Sequence, residues 1–142
     1  MDGHLAKGAE LVCGGKDHEA GGLFYTPTLL KDMSAGMLIH KEETFGPVAG
    51  LFRFKNEDEA LLAANDTPYG LASYFYTKDL AQAFRVAEGL EYGIVGVNEP
   101  LISTESAPFG GYKESGLGRE GSKYGLEEFM EVKYILMGGL NG

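Results

Sequence analysis

The feature that most constrains this chain is its alternation between two side-chain periods. Short apolar runs rich in β-branched and aromatic residues lie at 11–13, 23–30, 48–54, 71–76 and 94–98; such runs favour strands. Between them, at 57–65 and 78–90, apolar residues recur three and four positions apart; in the second segment Leu80, Ala83, Phe84, Ala87 and Leu90 fall at helical spacing. A chain that alternates in this order is expected to lay helices across a sheet, each helix serving as the crossover between parallel neighbours. The expected class is therefore α/β.

Local punctuation refines the pattern. Asn56 with Glu59 three residues on forms a capping box, so a helix is expected over 57–65, and the Asp-Thr-Pro-Tyr-Gly cluster at 66–70 ends it. Thr77 is expected to cap the helix over 78–90. Residues 2–10 read as the tail of a helix begun elsewhere, and 16–22 as a turn. The glycine-dominated stretch 108–121 is expected to be a long loop, a class that tends to carry function. A short helix over 122–129, a closing strand over 131–137 and a loose tail over 138–142 complete the reading.

Composition narrows the function classes. Twenty-one acidic against 12 basic residues leave a net charge of -9, with no basic stripe, which disfavours nucleic acid and anionic membranes. No apolar run approaches the roughly 20 residues of a membrane span, and a cytoplasmic protein is expected. One cysteine, Cys13, permits no intrachain disulfide, and His4, His18 and His40 have no metal-ligand spacing, so no metal site is expected.

Three segments exceed general α/β patterning: Glu42-Glu43-Thr44-Phe45-Gly46-Pro47, Pro108-Phe109-Gly110-Gly111-Tyr112-Lys113-Glu114-Ser115-Gly116, and Gly118-Arg119-Glu120 leading to Tyr124-Gly125. In this order and spacing they resemble the C-terminal part of the aldehyde dehydrogenase superfamily. With Leu101-Ile102-Ser103 ahead of the second segment, the resemblance points to the succinate-semialdehyde branch and covers essentially the whole chain. It implies a three-layer α/β/α remnant of that family's catalytic domain, with a largely parallel sheet, residues 1–142 being one truncated domain.

The resemblance also implies roles. Glu43 would hold the nicotinamide ribose of NAD or NADP, since a carboxylate accepts hydrogen bonds from both hydroxyls of a diol, and Phe45 would flank the nicotinamide ring. The bland alternative is a solvated acidic pair before a Gly-Pro turn. Phe109 resembles an aromatic lining the aldehyde pocket, against the reading of a core phenylalanine. Ser103 matches a serine that binds the distal carboxylate of succinate semialdehyde, a task suited to a hydroxyl beside arginines supplied upstream. No catalytic residue is assigned: the family's nucleophilic cysteine and general-base glutamate precede the segment matched here. Cys13 has no nucleophile motif around it and is read as structural.

Two further features bear on function. Gly116-Leu117-Gly118-Arg119-Glu120-Gly121 satisfies the dinucleotide fingerprint literally, yet polar residues 112–115 precede it where a strand is needed, so it is read as a decoy whose glycines serve a structural loop. The strand expected over 131–137 would expose unpaired backbone and invite association, so a homo-oligomer is expected. The competing function is a non-catalytic module that self-associates or binds an intact subunit.

Overall fold

Strand β2 (Thr28–Met33) organises the first half of the molecule, because it has a neighbouring strand on each side. In this computed structural model, which describes residues 2–140, the chain divides into two compact units, Met1–Pro68 and Tyr69–Gly142. Each is described by itself.

In the first unit β1 (Glu10–Cys13) pairs antiparallel with β2, Leu11 opposite Leu30, and β3 (Val48–Phe52) pairs with β2 in parallel, Leu30 opposite Gly50. Thr28 and Leu30 point inward as strand alternation requires. Met33, an odd number of residues beyond Leu30, would face outward in a regular strand. A bulge corrects this: the register with β3 slips between Leu30 and Met33, and Asp32 takes a left-handed φ of 55°. Met33 thereby joins Ala9, Leu30 and Met37 in the apolar core, with Leu5, Ile39 and Val48 packed against it, and Leu30 is wholly buried. The Asp32 carboxylate accepts from Arg53 Nε at 2.8 Å, and that hydrogen bond holds its pKa below the ordinary 3.8.

Helix α2 (Glu57–Asn65) starts as its capping box predicts: Asn56 Oδ1 accepts from the Glu59 N–H at 2.9 Å. The returning Glu59 carboxylate goes one residue further than expected, accepting from the Lys55 N–H at 2.8 Å. Helix α1 is one turn, Asp2–Leu5, ended before Gly8 at φ 97°, so the expected helical tail over 2–10 is shorter than the reading had it.

The strand expected over 23–30 is displaced to begin at Thr28. Residues 18–24 close a turn of their own, His18 N–H donating to Phe24 O at 3.0 Å and Gly21 N–H to His18 O at 2.9 Å. Pro27, lacking an N–H, separates that turn from the ladder. Likewise β3 stops at Phe52 rather than at 54.

In the second unit β5 (Ala72–Phe75) and β6 (Ile94–Val97) are parallel, Ala72 opposite Ile94 and Phe75 opposite Val97, and α3 (Leu80–Gly89) is the crossover between them. The helix starts two residues later than expected. Its cap is Asp79, whose Oδ1 accepts from Ala81 N–H at 2.8 Å and Gln82 N–H at 3.2 Å, while the expected cap Thr77 instead accepts from the Asp79 N–H. The buried stripe also differs from the expectation: Ala83, Val86 and Ala87 are half-buried and Leu90 buried, whereas Leu80 and Phe84 lie exposed.

The glycine stretch is not a bare loop. It contains β7 (Tyr112–Lys113), which pairs antiparallel with β4 (Tyr69–Gly70), and a bridge between Phe109 and Glu120. The expected helix over 122–129 is a 3-10 helix, Tyr124–Phe129. The expected terminal strand over 131–137 does not form: no strand of the described residues lies alongside it, Val132 is 100% exposed, and a segment without a ladder partner is not a strand. Of the tail, positions 141 and 142 lie outside the described residues.

The α/β class stands, with both crossover-type pairs parallel. The strands are distributed over three separate ladders, β1-β2-β3, β4-β7 and β5-β6. Among the described residues no helix is long and apolar enough to cross a membrane.

Candidate functional site

The first group of candidate residues sits on the connection from a 3-10 turn, Leu38–His40, to β3. Met37 is buried in the core, and the turn leaves it with the Lys41 and Glu42 N–H groups both donating to Leu38 O, at 2.9 and 2.8 Å. At the far end Thr28 N–H donates to Pro47 O at 2.7 Å, and Val48 enters β3. Between these anchors Glu43 is exposed and the Phe45 ring is 93% exposed. No hydrogen bond to Glu43, Thr44 or Phe45 occurs among the described residues. A large aromatic ring left in water beside an unpaired carboxylate is a poor structural element and a good contact surface.

The second group sits on the connection from β6 to β7, where a parallel pair ends. Ligands of open α/β sheets bind outside the carboxyl ends of the strands, and residues 98–111 leave from that end. Asn98 takes a left-handed φ of 57° and clasps the end of the neighbouring strand. Its Oδ1 accepts from Thr77 N–H at 2.9 Å and its Nδ2 donates to Thr77 O at 2.8 Å. Glu99 Oε1 then accepts from the Leu101 N–H at 2.8 Å, folding the chain back over Gly96. A β-carbon at Gly96 would run into the Glu99 carbonyl oxygen and come within 2.7 Å of the Tyr74 ring, so only glycine admits this turn. Ser103, exposed, is the residue the turn presents.

Phe109 follows on the same connection. Its backbone exchanges two hydrogen bonds of 2.8 Å with Glu120, and its partly exposed ring lines a cavity of about 470 Å³ together with Leu71, Leu117, Arg119, Glu128 and Phe129. Arg119 braces the wall, its Nη1 donating to Gly111 O at 3.0 Å and Gly118 O at 2.6 Å while the guanidinium lies 5.6 Å from the Tyr112 ring centroid. Glycines 116, 118 and 121 all have positive φ, and the residues before them form a two-residue antiparallel strand followed by a loop. That is not the strand-turn-helix of a dinucleotide fingerprint.

Glu43 and Phe45 thus share one connection of the first unit, and Ser103 and Phe109 share one of the second. Cys13 lies at the end of β1, exposed, its thiol directed at Pro27 O at 3.9 Å.

The sequence profile of the aldehyde dehydrogenase family matches residues 1–135. The chain belongs to that family. It is 61% identical over 134 residues to the NADP(+) succinate-semialdehyde dehydrogenase GabD of Escherichia coli, covering 94% of this chain and 28% of the relative. It is 60% identical over 136 residues to a glutarate-semialdehyde dehydrogenase of Pseudomonas aeruginosa, covering 96% of this chain and again 28% of the relative. A crystal structure of an Escherichia coli NADP-dependent enzyme superposes with a TM-score of 0.90 at 61% identity, over 93% of this chain and 27% of that one. The chain therefore spans little more than a quarter of the length of the curated relatives it matches.

Sequence reasoning missed three supporting residues. Asn98 was read only as the last residue of a β-branched run, although an asparagine following such a run is a known occupant of left-handed turns. Arg119 entered as part of a motif, without its role as a brace for the glycine loop. His40, whose spacing suits no metal, has its Nε2 3.2 Å from Asp66 Oδ2, a contact with no local sequence signal.

Proposed function

We propose that these residues are the C-terminal part of the catalytic domain of an NAD(P)-dependent semialdehyde dehydrogenase, oxidising succinate semialdehyde or a similar aldehyde with a distal carboxylate. The observation that carries the reading is the exposed, unbonded Glu43–Phe45 segment in a chain about 60% identical to dehydrogenases of two such semialdehydes. In this reading Glu43 accepts hydrogen bonds from the nicotinamide ribose and Phe45 packs beside the ring; the nicotinamide, when bound, accepts the hydride. Ser103 donates to the distal carboxylate, and Phe109 forms an apolar wall of the aldehyde pocket. The thiol nucleophile and the base that activates water are contributed by residues other than these 142, because Cys13 faces a backbone carbonyl and lacks the thiolate-stabilising setting the chemistry needs.

Two measurements test this. The 142-residue chain supplied with succinate semialdehyde and either nucleotide is expected to form no reduced nucleotide above a blank, and formation would overturn the division of labour. In the whole subunit, Ser103→Ala should raise KM for succinate semialdehyde about tenfold more than for an uncharged aldehyde of equal length, the weight of one charge-assisted hydrogen bond. Equal effects on both substrates would remove Ser103 from the carboxylate site.

A cytoplasmic setting belongs to the same proposal, supported by an acidic chain whose one cysteine stands free. A second reading, association with a like subunit, is favoured by the segment over 131–137, where Val132, Tyr134, Leu136 and Met137 are all exposed. Light scattering across a concentration series decides it: a mass that stays monomeric at high concentration rejects self-association.

A further inference from the structure

The segment carrying Glu43 and Phe45 hangs between two anchors, and the upstream one adds a side chain to its backbone hydrogen bonds. Its downstream end is tied to β2 by Thr28 N–H and Pro47 O. Its upstream end emerges from the 3-10 turn through His40, whose side chain is only 10% exposed. The ring is tilted against Phe52 of β3, centroids 5.4 Å apart. Its Nε2 faces Asp66 Oδ2 at 3.2 Å; a carboxylate only accepts, so the ring carries its hydrogen on Nε2. Asp66 is itself held as the C-cap of α2, its N–H donating to Leu62 O at 3.1 Å, and Lys41 Nζ approaches the same carboxylate oxygen at 3.9 Å. His40 thus ties the turn to both β3 and the end of α2, alongside Lys41 at the Asp66 carboxylate and Ile39 packed on the core.

The geometry points to His40 as a positioning residue that fixes where Glu43 and Phe45 stand when nucleotide binds, acting through Asp66. This rests on the nicotinamide reading of Glu43 and Phe45 above. Two residues separate His40 from Glu43, and no hydrogen bond of the segment itself restrains Glu43, Thr44 or Phe45 among the described residues. The turn is therefore the nearest upstream restraint on the carboxylate and the ring. A displacement of about 1 Å at groups that orient a reacting ring is enough to slow a reaction on the order of a hundredfold, so an anchor five residues away from Phe45 has leverage. The arrangement uses a partly buried imidazole whose long-range bond bridges 26 residues of sequence.

The test compares His40→Ala, His40→Gln and Asp66→Asn. Gln places an N–H donor where Nε2 stands, and Asp66→Asn weakens the same contact from an exposed position that the core does not depend on. In the 142-residue chain, amide order parameters over 42–45 should fall below about 0.6 in His40→Ala, recover in His40→Gln, and leave the β2 amides unchanged. In the whole dehydrogenase subunit kcat should drop about tenfold in His40→Ala with aldehyde KM unchanged, and His40→Gln should restore most of it. Should His40→Ala disturb the β2 amides, Asp66→Asn gives the same comparison, with a smaller fall expected. Order parameters that do not move overturn the anchor. A fall in order without a fall in kcat overturns the positioning role; if Glu43→Gln then also leaves kcat and nucleotide KM unchanged, the fault lies in the ribose reading and not in the anchor.

Discussion

The two units hold themselves together by different means. The first has a side-chain core, Leu30 enclosed by Ala9, Met33 and Met37 around a three-stranded sheet. The second buries little beyond Leu90 among its large apolar side chains, and its buried positions include Gly70 and Gly96, where backbone meets backbone. The lesson is that the first unit tolerates a long unbonded connection because its core is elsewhere, while the second places its candidate residues on turns whose shape is itself the packing.

The contrast can be broken most directly at Leu30. Leu30→Ala should cost about 2–5 kcal/mol by chemical denaturation, because a fully enclosed site cannot collapse around the missing atoms. A loss under about 1 kcal/mol would mean that the first unit has no core of the kind described.

In the second unit the corresponding change adds an atom. Gly96→Ala should destabilise by about 1–3 kcal/mol through overpacking against Glu99 and Tyr74, and in the whole subunit it should impair the Ser103 function with little effect on nucleotide affinity. Unchanged thermal unfolding would show that the fold-back over Gly96 is loose.

Asn98 sharpens the comparison further, since it separates conformation from bonding. Asn98→Ala loses both clasp hydrogen bonds to Thr77 and forces a side chain into left-handed φ, for about 1–2 kcal/mol. Asn98→Gly, free of the φ penalty, should lose less; equal losses would assign the whole effect to the clasp.

The smallest effect is electrostatic and belongs to the bulge in β2. The hydrogen bond from Arg53 holds the Asp32 carboxyl below its ordinary 3.8, so the pair's contribution is complete above that pH and is lost as pH falls through the lowered folded value. Arg53→Gln should return Asp32 upward toward 3.8 in an NMR titration of its carboxyl carbon. Both groups are solvent-exposed, so the unfolding midpoint at neutral pH should barely move.

Much of the candidate site was legible without a structure, and the reason is visible in particular residues. The Asn56 cap, the breaks at glycine and the motif around Glu43 and Phe45 involve neighbours within a few positions, so the sequence carries them whole. The cap is Asp79 and not Thr77 because the Asp79 carboxylate, two residues on, accepts from the Ala81 and Gln82 N–H groups and starts the helix there. The His40–Asp66 contact left no local signal at all, since its partners are brought together only when α2 returns beside the 3-10 turn.

By itself the sequence determined the α/β class, the start of α2, the glycine-dependent loop and the membership of the aldehyde dehydrogenase family. Only the tertiary structure decided that β2 begins after Pro27, that residues 131–137 form no strand, that 112–113 do, and which stripe of α3 is buried. Caps and turns are closed by hydrogen bonds to near neighbours and so are written in short stretches of sequence. A strand or a buried face exists only once a distant segment arrives to share its hydrogen bonds or exclude its water, and no window of the chain contains that partner.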